Sequence, residues 1–169
     1  MATAMPKGVF SVDRIVSDLA VFIDSSDLHS LRELWSYLEG KFFSRLAPTH
    51  SSVVKKYEFG LYKFYLVEAL KAGRKDKLSE FFEKMATELN PYPEWKEWYL
   101  IGYIKNPEDH STASTYSNKN YREAFFVSIR NFLTVIYHRT WTVAEVSPKN
   151  PYSIEIMDDF FSIAQPKLG

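Results

Sequence analysis

The sequence predicts an all-α domain of about six helices, arranged as a helical bundle or as a short stack of helical hairpins. Two observations support this prediction. Apolar residues recur three and four positions apart along most of the chain, which is the spacing of a buried helix face. Hydrophobic residues make up 46% of the 169 residues and aromatic residues 17%, so the chain can build a core although it contains no cysteine for disulfides.

The first half of the chain contains four predicted helices. Ser11 can cap the first of them, and the second covers residues 27–42. The third, over residues 51–72, is apolar on nearly all sides, so we expect it at the centre of the domain. Gly73 is well suited to end that helix, and the fourth follows over residues 75–89.

The second half is predicted to hold one short and one long helix. The short helix carries Trp95, Trp98 and Tyr99, and it follows a break that contains two prolines. Residues 102–118 are polar and are predicted to form a loop, long enough to have a function of its own. The long helix covers residues 121–137.

These predictions divide the chain into three parts. Residues 1–10 are a flexible N-terminal arm, and residues 11–141 are the helical domain. Residues 142–169 are an extended tail, in which residues 158–164 can form one short helix.

The balance of charge limits the class of partner. Lys and Arg total 21, as do Asp and Glu, so the formal net charge is zero at neutral pH. Nucleic-acid-binding domains normally carry a strong basic excess, so we expect no nucleic-acid partner. The N-terminus shows no signal-peptide pattern, and no apolar stretch approaches the roughly 18–20 residues that span a bilayer, so we expect a soluble cytoplasmic domain.

No pattern of residues points to catalysis or to a cofactor. The four histidines lie in four different segments, and none has a second metal ligand at helical spacing. The sequence contains no Gly-x-Ser-x-Gly motif and no glycine-rich phosphate loop. We therefore expect no enzymatic activity, no metal and no cofactor.

Two groups of residues are candidates for a partner surface. The first is the basic cluster at the predicted junction of the third and fourth helices, formed by Lys71, Arg74, Lys75 and Lys77. These side chains could meet an acidic protein or a phosphoinositide headgroup, or they could simply be a solvated helix junction. Three further lysines on the third helix, Lys55, Lys56 and Lys63, are interpreted as its one solvated face.

The second candidate group is formed by Trp95, Trp98 and Tyr99. Tryptophans on short amphipathic helices mostly fill cores, yet Trp and Tyr also dominate the energetically important residues of protein interfaces. The group is dense and lies beside the predicted loop, so part of it is a candidate contact with a partner.

A series of short motifs gives the chain a family resemblance. In order they are VDRIV at 12–16, WSYLE at 35–39, FSRL at 43–46, FYLV at 64–67, EFF at 80–82, ATEL at 86–89, EWKEW at 94–98, VSI at 127–129 and NFL at 131–133. None is specific alone, but together and in register they extend over most of the chain. In these motifs the sequence resembles the N-terminal helical region of the WD repeat-containing protein 91 family.

The resemblance implies a role in endosome maturation. Members of the family combine a LisH-type dimerisation motif, this helical region, a coiled coil and a C-terminal β-propeller. The resemblance implies peripheral association with early and late endosomes, and binding to the class III phosphatidylinositol 3-kinase complex with Beclin, to a late-endosomal Rab GTPase and to a BEACH- and WD-repeat-containing co-regulator. It also implies restraint of the kinase during early-to-late endosome conversion.

The sequence departs from the family pattern in several places. It starts after the position of the LisH motif and shows neither coiled-coil heptads nor a propeller, so we expect an excised domain or a shortened relative, and a homodimer stays open. Residues 142–169 match no part of the pattern, and the family's proline-rich stretch is reduced to Pro107. Two alternatives therefore stand beside the interaction domain: a purely structural scaffold, and a phosphoinositide-binding module that uses the basic cluster.

Overall fold

The computed structural model describes residues 11–141, with side chains up to residue 138, and within these residues it is built from helices without β-strands. The α-helices are α1 (Val12–Asp24), α2 (Leu28–Lys41), α3 (Ser51–Lys71), α4 (Lys75–Leu89), α5 (Ala113–Ser117) and α6 (Lys119–Trp141). Short 3-10 helices lie between them at Phe43–Arg45, Pro48–His50, Pro93–Tyr103 and Pro107–Asp109. The all-α prediction is confirmed, while the predicted arm and tail lie outside the described residues.

The predicted capping residues act as expected. Ser11 Oγ accepts a hydrogen bond from the backbone N–H of Arg14 at 3.2 Å and so caps α1. Gly73 follows the last residues of α3 with a φ of +73°, which a residue without Cβ adopts at no steric cost. The next N–H, that of Arg74, bonds back to the carbonyl oxygen of Ala69 at 2.9 Å and closes the helix end.

The turn between α1 and α2 uses the same geometry with a serine in place of glycine. Ser26 has a φ of +56°, and the N–H of Asp27 bonds back to the carbonyl oxygen of Phe22 at 2.9 Å. Ser26 is buried, and its Oγ accepts a hydrogen bond from the Arg74 guanidinium at 3.0 Å, while its carbonyl oxygen accepts one from the Tyr65 hydroxyl at 3.3 Å. These bonds tie the α1–α2 turn to the α3–α4 turn and hold the unfavourable serine conformation in place.

Helix α3 is the centre of the fold, as predicted. Of its 21 residues, 14 are buried, because α1, α4 and α5 all pack against it. Tyr57 stacks on Phe132 of α6 with ring centroids 4.6 Å apart. Gly60 lets the Phe125 ring lie directly on the α3 backbone: a Cβ at this position would come within 2.8 Å of Phe125 Cζ and even closer to Cε2. The lack of a side chain at Gly60 therefore sets the distance between α3 and α6.

The prediction of a long loop over residues 102–118 is wrong. This segment contains the end of one 3-10 helix, the whole of another, and α5, and it is anchored by the buried residues Pro107, Ala113 and Tyr116. His110 Nδ1 accepts hydrogen bonds from the N–H groups of Thr112 at 3.2 Å and Ala113 at 3.0 Å. The imidazole thereby replaces the Ser, Thr or Asp side chain that normally signals a helix start.

Candidate partner surface

The tryptophan segment, defined as the 3-10 helix Pro93–Tyr103, does not present its tryptophans to solvent. In a 3-10 helix, side chains three residues apart lie on the same face. Trp95, Trp98 and Ile101 share one such face, and all three are 0% exposed. The prediction that Trp95 and Trp98 belong to a partner surface is therefore wrong, since the Trp95 ring packs on Phe59 of α3 and Phe81 of α4, and the Trp98 ring packs on Tyr116 of α5.

The two tryptophans enclose a lysine. Lys63 of α3 is only 8% exposed, and its Nζ makes an ion pair with Glu94 Oε2 at 2.6 Å. The same nitrogen lies 5.2 Å from the ring centroid of Trp95 and 5.8 Å from those of Trp98 and Tyr116. We call these five residues the lysine cage. The interpretation of Lys63 as part of a solvated face is wrong, because a carboxylate and three aromatic rings compensate for its burial.

The other two faces of the tryptophan segment are exposed. Tyr103 is 86% exposed, Leu100 60% and Tyr99 39%, and these three residues form what we call the aromatic ridge. Tyr99 rests on Phe82 of α4, with ring centroids 4.8 Å apart. Of the predicted aromatic group, Tyr99 alone reaches the surface. Leu100 and Tyr103 were not predicted to be surface residues. Their outward position follows only from the three-residue period of a 3-10 helix, counted from the buried tryptophans.

The residues of the basic cluster lie at the α3–α4 turn, but most of them already interact with other residues of this chain. Arg74 donates to Ser26 Oγ, as described above, and to the carbonyl oxygen of Asp24 at 3.4 Å. Lys71 lies 3.5 Å from Glu68, and Lys77 lies 3.8 Å from Glu80. These two ion pairs are partly exposed to solvent and worth about 1 kcal/mol each at most, so a partner can displace them.

Lys75 is the member of the basic cluster that is fully available to a partner. It is exposed at the first position of α4, and within residues 11–141 no ion pair engages it. Together with Lys71 it gives the α3–α4 turn a basic edge suited to an acidic protein segment. Arg74 does not contribute to this edge, because its guanidinium holds the two turns together.

A shallow groove of about 330 Å³ runs between α2 and α4 beside the basic cluster. Its charged lining mixes acidic and basic side chains, namely Asp27, His29, Lys77, Glu80 and Lys84. Because the two signs alternate, the groove shows no preference for an anionic headgroup. The groove therefore gives no support to a phosphoinositide site.

A buried polar group lies on the other end of α3. Glu58 is 6% exposed, and its two oxygens accept hydrogen bonds from Lys55 Nζ at 3.0 Å and from the Tyr62 hydroxyl at 2.9 Å. Burial, together with the Glu58 carboxylate, raises the pKa of Tyr62, so the phenol stays protonated and donates. Partial burial, and then repulsion by Glu58, raises the pKa of Glu39 on the neighbouring helix α2. The hydrogen bonds of this group therefore lie within α3, while the Glu58 carboxylate repels the Glu39 carboxylate of α2.

The described residues show no arrangement for metal binding or membrane crossing. Across residues 11–141, no three His, Asp or Glu side chains come together as metal ligands. No helix in that part of the chain combines the length and apolar character that a bilayer span needs.

Comparison with known proteins shows where the chain belongs. The family model described as Armc9, CTLH-like domain matches residues 13–139. The chain is 42% identical to WD repeat-containing protein 91 of Xenopus tropicalis and 39% identical to that of Rattus norvegicus, each over 128 residues that are 76% of this chain and 17% of the relative. The WD repeat-containing protein 91 homolog of Dictyostelium discoideum is 30% identical over an alignment of 162 positions, which covers 76% of this chain and 21% of the relative.

The chain thus spans about a fifth of the length of these relatives or less. No solved structure gives a significant match. The predicted resemblance to WD repeat-containing protein 91 is confirmed, and the helical fold with its family match supports a protein-interaction domain. The chain belongs to the family of Armc9-type, CTLH-like domains.

Proposed function

We propose that this chain is the non-enzymatic interaction domain of an endosome-maturation regulator, and that it helps to restrain the class III phosphatidylinositol 3-kinase complex. One observation carries the proposal: relatives named WD repeat-containing protein 91 align with 76% of the chain. The role in endosome conversion follows from the resemblance to that family. The Beclin-containing kinase complex is the direct partner, and the Rab GTPase and the BEACH-containing co-regulator bind the same assembly.

The α3–α4 turn is the surface that we assign to the kinase complex. Its two accessible cations, Lys71 and Lys75, are held on a rigid turn, because Gly73 ends α3 and Arg74 ties the turn to Ser26. Because the backbone of the turn is already fixed, only the two lysine side chains lose conformational entropy when an acidic segment binds. The protein would then sit on early and late endosomes as a peripheral, cytoplasmic component, held there by its partners.

The proposal is tested by adding the purified chain to the reconstituted kinase complex on liposomes and measuring the rate of phosphatidylinositol 3-phosphate formation. We expect the wild-type chain to lower the rate and Lys71→Glu/Lys75→Glu to lose at least about 90% of that effect, since reversal of two contact charges costs several kcal/mol. Lys41→Glu/Arg45→Glu is the matched control: it reverses two exposed cations near the opposite end of α3, about 30 Å away.

Each outcome decides between two functions. Inhibition by the wild-type chain and by the control, but not by the Lys71/Lys75 variant, supports the proposal. An unchanged rate with the wild-type chain overturns it in favour of the scaffold, in which the domain only positions its neighbours. Sedimentation with phosphoinositide liposomes that lack the kinase distinguishes the lipid alternative, which requires charge-dependent binding in the absence of protein.

A further inference from the structure

We propose that Ser117 is a phosphorylation site and that its phosphate pairs with Lys71 and Lys119, which withdraws Lys71 from an acidic partner. The site lies at the junction of α5 and α6, beside the α3–α4 turn. The proposal rests on the proposed function, because it describes how binding of an acidic segment to that turn is regulated.

The structure places Ser117 next to two cations. Lys71 Nζ donates a hydrogen bond to the backbone carbonyl oxygen of Ser117 at 3.4 Å, although 46 positions separate the two residues. Lys119 is the first residue of α6; it is exposed, and within residues 11–141 no ion pair engages it. A phosphate on Ser117 Oγ therefore comes within reach of two ammonium groups, and charge-assisted hydrogen bonds of this kind are strong.

The position of a following cation and the local backbone together distinguish Ser117 from other serines. Basophilic protein kinases accept a serine that has a lysine or arginine two positions later, as Ser117 does. Ser30 and Ser128 have the same spacing, but Ser128 is buried and Ser30 lies inside α2, where its N–H is bound by the Asp27 cap. Ser117 is partly exposed and ends a helix of 5 residues, and Asn118 continues in an extended conformation. A helix end of this kind opens locally at low cost, so a kinase can reach the hydroxyl.

Transfer of the phosphoryl group uses ATP and Mg²⁺ in the active site of the kinase. Ser117 Oγ forms the new bond to the γ-phosphorus, and the bond from that phosphorus to the oxygen that bridges it to the β-phosphorus breaks. ADP leaves with the bonding electron pair, and the serine proton passes to the catalytic aspartate of the kinase. Ser117 thereby gives up the hydrogen bond that its Oγ donates to the carbonyl oxygen of Ser114 at 2.9 Å, and it gains between about 1.5 and 2 negative charges at neutral pH.

The neighbouring carboxylates are compatible with a phosphate at Ser117. Glu68 lies 3.5 Å from Lys71 and 3.7 Å from Arg122, so Arg122 continues to neutralise Glu68 when Lys71 turns to the phosphate. The pair of Lys71 and Glu68 is partly exposed and weak, whereas a phosphate dianion is a stronger partner for the ammonium group. Glu123 lies in the second turn of α6 and is exposed to solvent, which screens its charge. The phosphate therefore binds Lys71 and leaves the basic edge of the α3–α4 turn with one accessible cation.

Transfer to Ser117 is tested on the full 169-residue chain with ATP, Mg²⁺ and the catalytic fragment of protein kinase C, and tandem mass spectrometry locates the phosphorylated positions. We expect phosphate on Ser117, and at least about tenfold less of it in Lys119→Ala, since the kinase recognises that cation. Ser114 and Thr115 are internal controls, because neither has a cation two positions later. No phosphate on Ser117, or equal labelling of Lys119→Ala, overturns the proposal.

Phosphorus-31 NMR tests the contacts of the phosphate. Phosphoserine is placed at position 117 by genetic encoding, and its second protonation, which ordinarily has its midpoint at about pH 6, is followed against pH. We expect this midpoint to be lower by at least about half a pH unit than in the same protein with Lys71→Gln/Lys119→Gln, because the two ammonium groups favour the dianion. Both proteins should keep the far-UV circular dichroism of the unmodified chain. Equal midpoints overturn the proposal.

Binding to the class III kinase complex tests the regulatory role. Phosphoserine at position 117 should weaken binding by at least about fivefold, since it occupies one of the two contact cations. Phosphoserine in place of Ser111, which is exposed in the same segment, is the matched control and should leave the affinity within about twofold. Undiminished binding with phosphate at position 117 overturns the proposal. Absence of binding by the unmodified chain overturns the proposed function and with it the regulatory role, whereas the phosphorus-31 midpoints still decide whether the phosphate pairs with Lys71 and Lys119.

Discussion

Replacement of Lys63 by methionine should destabilise the fold although the side chain keeps its length. Lys63 Nζ lies within 5.8 Å of the centroids of three aromatic rings, from Trp95, Trp98 and Tyr116. A cation over an aromatic face contributes about 0.5–1 kcal/mol at exposed sites and about 2 kcal/mol when desolvated. Methionine fills the same space without a charge, so the substitution removes the electrostatic part and leaves the packing.

The size of the effect follows from the cage geometry. The three ring contacts share one cation and are not additive, and the ion pair with half-exposed Glu94 is worth at most about 1 kcal/mol. Relief of ammonium desolvation offsets part of the loss. We expect Lys63→Met to lower the free energy of unfolding by about 1–2 kcal/mol. Lys63→Ala also removes three methylenes at about 0.8 kcal/mol each, so its total should be about 3.5–4.5 kcal/mol.

Urea unfolding followed by far-UV circular dichroism measures these differences. Lys41→Met is the matched control, because Lys41 Nζ lies 5.7 Å above the ring of Tyr37 at an exposed site. The control should change the free energy of unfolding by less than about 0.5 kcal/mol. If Lys63→Met is as stable as the wild type, the cage binds the lysine stem and not its charge, and the electrostatic account of the tryptophan segment is refuted.

Three further substitutions test the core, a helix cap and the polar group on α3. Gly60→Ala should cost about 1–3 kcal/mol in urea unfolding, because the added methyl group collides with the aromatic ring packed on α3. Asp27→Ala should cost about 0.5–2 kcal/mol near neutral pH, since it removes the α2 cap. Burial acts to raise the pKa of Asp27, but hydrogen bonds from Ser30 outweigh it and lower that pKa. The stability difference between Asp27→Ala and the wild type should therefore shrink as pH falls below 3.8, the ordinary pKa of an aspartate. Partial burial and the Glu58 carboxylate raise the pKa of Glu39, so the ionised form of Glu39 destabilises the fold at neutral pH. Glu39→Gln should therefore raise the melting temperature at neutral pH. The same substitution should have no effect at a pH low enough to protonate the Glu39 carboxyl.

The centre of the fold could be predicted because its pattern is local. Residues 51–72 are apolar on nearly all sides, and such a helix has to be covered by neighbours, as α3 is. The roles of Gly73 and Ser11 could also be predicted from the sequence. A residue that tolerates positive φ is favoured just after a helix, and a residue that caps the first N–H groups is favoured just before one. The conformation of the serine at the α1–α2 turn could not be predicted in this way. Hydrogen bonds from Arg74 and Tyr65, which are far away in the sequence, hold that conformation.

The candidate surface could be predicted only in part, for reasons of tertiary contact. A spacing of three fits an α-helix and a 3-10 helix equally well, so the sequence did not decide which face carries Trp95 and Trp98. The sequence predicts that Lys63 lies on a solvated face of α3. Its burial is possible because Glu94, which lies 31 residues later in the chain, supplies the opposite charge. Residues 102–118 are predicted to be a loop because they contain no common helix cap. The cap that the structure shows is His110, and histidine is uncommon in that role.

The most direct test of the proposed function is the affinity of the purified chain for the class III kinase complex, measured by surface plasmon resonance at physiological salt. We expect saturable binding that Lys71→Glu/Lys75→Glu weakens by at least about tenfold and Lys41→Glu/Arg45→Glu leaves within about twofold. Both variants must first show the melting curve of the wild type. Equal affinity of all three proteins would contradict the assignment of the α3–α4 turn, and absence of binding by the folded wild-type chain would contradict the proposed function itself.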